Sequence, residues 1–130
     1  MDKTIYGAGL ASYPAGVFLH VSLYASNLRA AITLTCADDD TPYGSLTVNL
    51  PSADLADDEI LVVADWNLPA DLKQALLATG KFSDTGRWTE VGHGRGARWR
   101  IDCPDLLASL ATARSFARQP RGARGHAAHA

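Results

Sequence analysis

Two runs of strict alternation constrain this chain more than any other feature in it. Val17, Leu19, Val21 and Leu23 alternate with Phe18, His20, Ser22 and Tyr24. Successive side chains of a strand point to opposite faces, so this run carries one purely aliphatic face. After Ala25, Ser26 and Asn27, the residues Leu28, Ala30, Ile32, Leu34 and Cys36 repeat the pattern against Arg29, Ala31, Thr33 and Thr35. The pair predicts an antiparallel hairpin with one side covered and the other wet.

The segment Ala37 to Gly44 gathers Asp38, Asp39 and Asp40 with a proline and a glycine, the composition of a turn whose side chains bond their own backbone. Leu46, Val48 and Leu50 then alternate with Ser45, Thr47 and Asn49, and Pro51 removes the donor needed to continue. A third strand is predicted here, making a meander. Ile60 to Ala64 is apolar without alternation, as in a strand buried on both sides or the entry to a helix.

A helix is predicted to begin at Pro69 and to end before Gly80, with Leu68, Leu72, Ala75, Leu76 and Thr79 on one side and Lys73 and Gln74 outward. Its leucines should cover the aliphatic side of the sheet. Arg87 to Val91 and Ala97 to Ile101 read as a second hairpin around the turn 92–96. A last helix starts near Pro104 with Asp102 as its cap, carries Leu106, Leu110, Ala113 and Ala117 on one face, and fades near Arg118.

These elements predict one α+β domain over residues 1–118, an antiparallel twisted sheet of about five to six strands with two helices packed on one face. Residues 119–130 offer no large apolar side chain to offset the entropy of ordering, so a disordered basic tail is expected. No apolar run approaches the length of a membrane span, and the N-terminus MDKTIYGAGL lacks a cationic start followed by an apolar segment. A cytoplasmic protein without membrane contact is the expectation. Cys36 and Cys103 lie in no CxxC pair and have no histidine at ligand spacing, so both are read as small buried thiols.

Charge is divided along the chain. Residues 1–71 hold ten acids and two bases, a net of −8, whereas residues 72–130 hold ten bases and four acids, a net of +6. Such a division can orient a charged partner during encounter. On the acidic side Asp38, Asp39, Asp40, Asp54, Asp57, Asp58 and Glu59 can form a negative surface that imitates phosphate spacing or meets a basic partner. On the basic side Arg98 and Arg100 should emerge together opposite Trp99. With Arg87, Arg95, Arg114, Arg118, Arg121 and Arg124 they could contact phosphates, although a pI near 6.0 argues against a dedicated nucleic-acid binder.

Catalytic signals are few. Asp84-Thr85-Gly86 resembles the catalytic loop of dimeric retroviral-type aspartic proteases, but its neighbours Lys81, Phe82, Arg87 and Trp88 do not supply the apolar burial that two carboxylates sharing a proton require. A turn is the simpler reading, and a small hydrolase using Asp84 in a dimer is a minor alternative. Gly92 to Gly96 lacks the lysine and hydroxyl of a phosphate loop. His20, His93, His126 and His129 have no identifiable nucleophile or orienting group beside them. The aspartate run lacks the spaced ligands, glycine and terminal glutamate of a calcium loop. No catalytic residue, metal site or cofactor is nominated.

The stretch from Thr41 to Pro51, with its LTVNLP segment, resembles an uncharacterised family of small proteins from conjugative plasmids, integrative elements and phages. The likeness spans Leu28 to Thr85 and departs at Trp66, where those relatives are more polar. It implies genomic context and carries over no functional residue. By analogy with other small proteins of mobile elements, it implies an inhibitor of a host defence complex, an anti-CRISPR for example, that occludes its target sterically and electrostatically. The expected function is therefore a non-enzymatic interaction protein whose partner is a host protein complex, such as a nucleoprotein nuclease. Asp38, Asp39, Asp40, Asp57, Asp58, Glu59, Arg95, Arg98 and Arg100 are its contact residues, and a nucleic-acid-binding regulator is the alternative.

Overall fold

The computed structural model describes residues 4–63, 68–91 and 94–118. The first hairpin forms as its alternation predicts. Strand β1 (Val17–Leu23) pairs antiparallel with β2 (Ala30–Cys36), Val17 opposite Cys36 and Leu23 opposite Ala30. Ala30, Ile32, Leu34 and Cys36 are all buried. Leu28 does not belong to the strand: it takes a positive φ of 60° in a turn closed by bonds between Tyr24 and Arg29 and between Leu28 and Tyr24. A bulky side chain in the left-handed region is unusual, and something must hold it there. The guanidinium of Arg114 does, donating from Nε to the Leu28 carbonyl at 2.9 Å.

The third strand is displaced from its predicted place. Strand β3 is Pro42–Ser45, paired with β2 across a register shift at Leu34/Thr35, and Pro42 is tolerated because it opens the strand. Leu46 to Val48 instead forms the crossing between two sheets. The Leu46 N–H donates to Ile32, while its carbonyl accepts from Val63, and the Val48 N–H donates to Leu61. Thr47 explains the change of partner. Its buried hydroxyl accepts the Ile32 N–H at 3.0 Å, replacing a ladder carbonyl with a side-chain oxygen, and also bonds Tyr24.

The predicted single sheet of five to six strands is therefore two sheets of three, ordered β1-β2-β3 and β4-β6-β5. Strand β4 (Glu59–Val62) is the short apolar run, buried from Ile60 to Val62. It pairs with β6 (Gly94–Ile101), which pairs with β5 (Phe82–Val91). Strand β5 begins earlier than Arg87, because the Asp84-Thr85-Gly86 segment is a bulge inside the strand, with Asp84 opposite Trp99 and Trp88 opposite Ala97.

Helix α1 (Ala70–Ala78) follows Pro69 and is terminated by Gly80 at φ 80°. Helix α2 (Pro104–Ala117) starts after Cys103, whose side chain makes no cap and which is half-buried rather than buried. Asp102 is not the cap either, because its carboxylate accepts from Arg100 Nε at 3.0 Å. The two helices do not share one sheet face: α1 packs chiefly on β5 and α2 chiefly on β1. One core nevertheless unites the molecule, with Ile32 and Leu34 from the first sheet, Ile60, Phe82 and Trp99 from the second, and Leu72, Leu76 and Leu110 from the helices. The Phe82 and Trp99 rings lie 5.9 Å apart, the tilted arrangement aromatic pairs prefer.

No helix among the described residues is long and apolar enough to cross a membrane. The tail 119–130, with Arg121, Arg124, His126 and His129, lies outside the described residues, as do Trp66, Gly92 and His93.

Candidate functional site

The aspartate run is a turn whose carboxylates are occupied locally. Cys36 and Thr41 close the loop through the Cys36 N–H, and the Asp40 N–H returns to the Cys36 carbonyl. Asp38 accepts from the Tyr13 hydroxyl at 2.7 Å, Asp39 from the hydroxyl and N–H of Thr41, and Asp40 from the Thr35 hydroxyl. The bonds to Thr41 hold the Asp39 carboxyl below its ordinary range. Hydrogen bonds to Cys36 and Asp38 push the Tyr13 hydroxyl up. Potential ligand atoms of Cys36, Asp38 and Asp39 come within 4.8 Å of one another, a grouping invisible to a search for histidine or paired-cysteine spacing. Asp38, Asp39 and Asp40 are exposed, whereas Cys36 is buried.

That second cluster meets the arginines. Because β4 pairs with β6, Glu59 lies opposite Arg100 and Leu61 opposite Arg98. Glu59 Oε2 pairs with Arg87 at 3.1 Å, while its other oxygen takes the Ala56 N–H. Arg98 donates from Nε to Thr89 and from a terminal nitrogen to the Asp54 carbonyl, both at 2.8 Å. Arg98 and Arg100 do flank a buried Trp99 as expected, yet Arg100 is paired with Asp102. That hydrogen bond, with the charges of Asp102, Asp58 and Glu59, raises the Arg100 pKa. Glu59 of the acidic half thus stands among Arg87 and Arg100 of the basic half on the second sheet. Arg114 is not exposed with the other arginines: it is buried on α2, its Nε bonded to the Leu28 carbonyl.

Beside this charge ladder lies an open cleft of 580 Å³ walled by Asp54, Leu55, Glu59, Arg87, Trp88 and Arg98. Trp88 is 48% exposed. The Arg95 guanidinium lies over its ring, 3.9 Å from the centroid. Stacking of this kind pre-orders both side chains and keeps an indole available at the surface. Charge pattern alone singles out Arg95 and Arg98 but passes over Trp88, although an aromatic between Arg87 and Thr89 in a hairpin is the available signal.

No family model, curated protein or solved structure matches the chain. Asp84 is exposed, and its Oδ1 accepts the Gly86 N–H at 2.9 Å, the bond of a local turn. Its surroundings do not provide the apolar shell that shared-proton chemistry needs. His20, also exposed, bonds the Thr35 hydroxyl at 2.8 Å.

Several carboxylates link stability to acid. Asp39, Asp71 and Asp102 all have lowered pKa values, through hydrogen bonds to Thr41, to Ser12, and to Ser83 then Arg100 respectively. A carboxylate more acidic in the folded than in the unfolded state binds fewer protons when folded, so its contribution is present above its unfolded pKa and is lost as pH falls through the folded one. Urea midpoints are expected to be level above about pH 5 and to decline below about pH 4. In the triple variant Asp39→Asn, Asp71→Asn, Asp102→Asn the acid limb should be shallower; an unchanged limb would assign the acid sensitivity to other groups.

Proposed function

We propose that this chain is a non-enzymatic interaction protein that holds a protein partner in the cleft beside the β5–β6 hairpin, with Trp88 as the central anchor and Arg95 as its support. Trp88 carries the reading: a half-exposed indole stacked by an arginine, next to a cleft of ligand size with both charge signs on its rim. Tryptophan and arginine are the residues most enriched among interface hot spots, and a rim of mixed charge supplies register and selectivity. Arg95, Arg98 and Glu59 of the expected contact set belong to this neighbourhood, while Asp38, Asp39 and Asp40 belong to another part of the surface available to the same or a different partner.

A protein partner is favoured over nucleic acid because three arginines of the second sheet are already engaged. Arg87 faces Glu59, Arg100 faces Asp102, and Arg98 bonds Thr89 and the Asp54 backbone. Tracking a phosphate backbone requires cations free to neutralise it, and carboxylates interleaved with them oppose the approach of a polyanion. Inhibition of a host defence complex, implied by the LTVNLP resemblance, is the specific form of this function that we propose.

Parallel affinity captures with the wild-type chain and with Trp88→Ala provide the test, with bound proteins and nucleic acid both quantified. The side chain is half-exposed, so the variant should fold with an unchanged melting temperature. A protein retained by the wild type should be lost at least about tenfold, the effect of removing a hot-spot residue. Equal capture by both forms, or salt-sensitive recovery of nucleic acid alone, would overturn the reading.

A further inference from the structure

A second cleft is built differently. Leu107, Ala111, Arg114 and Arg118 recur along one side of α2 and line a space of 480 Å³, opposite Asp57 and Asp58 of the loop before β4. The volume lies in the range of small-molecule sites. Residues 54–59 thus wall both clefts, with Asp54 and Glu59 facing the Trp88 side and Asp57 and Asp58 facing α2.

Arg114 makes this cleft unusual. It is 8% exposed, yet its hydrogen bond among the described residues is the single one from Nε to Leu28, and it forms no ion pair among them. Burying a guanidinium is costly unless its donors are satisfied, and Nε is only one of them. The sole sealed side-chain oxygen or nitrogen without a partner among the described residues is Asp71 Oδ1, so the terminal nitrogens of Arg114 are not sealed from solvent, and Arg114 lines the cleft. Asp57 and Asp58 stand on the other wall without ion-pairing Arg114.

The charges of the two walls select the ligand. A polyanion satisfying Arg114 and Arg118 would meet the two carboxylates, and a simple cation would meet the guanidinium groups. A molecule with a carboxylate at one end, an ammonium at the other and an aliphatic body for Leu107 and Ala111 satisfies both walls. We propose that the cleft binds a small zwitterion of the amino acid or dipeptide class, its carboxylate on Arg114 and Arg118 and its ammonium on Asp57 and Asp58. This site is independent of the Trp88 cleft and does not rest on the function proposed for it.

Calorimetric titration of the full chain with leucine, leucyl-leucine and the N-acetyl and C-amide derivatives of each tests the assignment. One of the two zwitterions should bind saturably, and either cap should weaken it by about tenfold, the worth of one charge-assisted hydrogen bond. The two zwitterions differ in charge separation and so report which spacing the walls accept. Absence of binding by both at millimolar concentration, or equal binding by the capped forms, would overturn the proposal.

Arg114→Met would disturb the Leu28 turn, so the exposed Asp57 and Arg118 and the half-buried Asp58 supply the variants. Asp57→Asn with Asp58→Asn should erase the discrimination between free and acetylated amine, and Arg118→Gln should reduce the preference for carboxylate over amide. Discrimination that survives the first change, or a preference unaltered by the second, would overturn the corresponding contact.

Discussion

Replacing Leu76 with alanine is expected to lower the unfolding free energy by about 2–5 kcal/mol, read as a shift of the urea midpoint at unchanged slope. Leu76 has no exposed surface and belongs to the core cluster shared by both sheets. Truncation loses the transfer energy of the removed carbons and leaves a cavity that the surroundings cannot readily fill, because β5, on which α1 packs, is held by its ladder to β6. Against a total stability of about 5–15 kcal/mol, such a loss can leave the chain partly unfolded at 37 °C. Ala78→Ser, exposed on the same helix, is the comparison and should change little. A loss below about 1 kcal/mol at Leu76 would mean that α1 is not anchored in this core.

Gly16→Ala should be comparably damaging, by about 2–4 kcal/mol, although it adds one methyl group. Gly16 has φ 81°, and a Cβ there would stand 2.5 Å from Ile5 Cγ2 and 2.8 Å from the Tyr6 carbonyl oxygen. The backbone cannot move aside cheaply, because Tyr6 and Val17 exchange two hydrogen bonds and the Gly16 carbonyl receives the Ala37 N–H. Gly9 separates the two costs. It has φ 85° with nothing within 4 Å of the position an added methyl would take, so Gly9→Ala meets conformational strain alone, about 1–2 kcal/mol. Equal melting temperatures for the two variants would show that crowding at Gly16 contributes nothing.

Local chemistry made much of the fold legible. The hairpin of β1 and β2 followed from period-two alternation, and α1 from Pro69, Gly80 and the Leu72/Leu76 spacing, because each depends on residues close in sequence. The departures share one cause. The alternation of Leu46, Val48 and Leu50 correctly described an extended chain, but the Thr47 hydroxyl accepts the Ile32 N–H and its backbone neighbours turn to β4. Arg114 carried no local mark of burial; the Leu28 turn, far away in sequence, supplies its acceptor. The site was legible in part, through Arg95, Arg98 and Glu59, whereas the stacking of Arg95 on Trp88 depends on the β5–β6 register.

The amino-acid order alone determined which segments extend, which coil and which face of each is apolar, since backbone sterics and side-chain periodicity act over a few residues. Tertiary pairing decided that the strands divide into two sheets and that Glu59 from the first half meets Arg87 from the second. Hydrogen-bond ladders and ion pairs are satisfied by whatever group arrives in space, and separation along the chain places almost no energetic limit on which group that is.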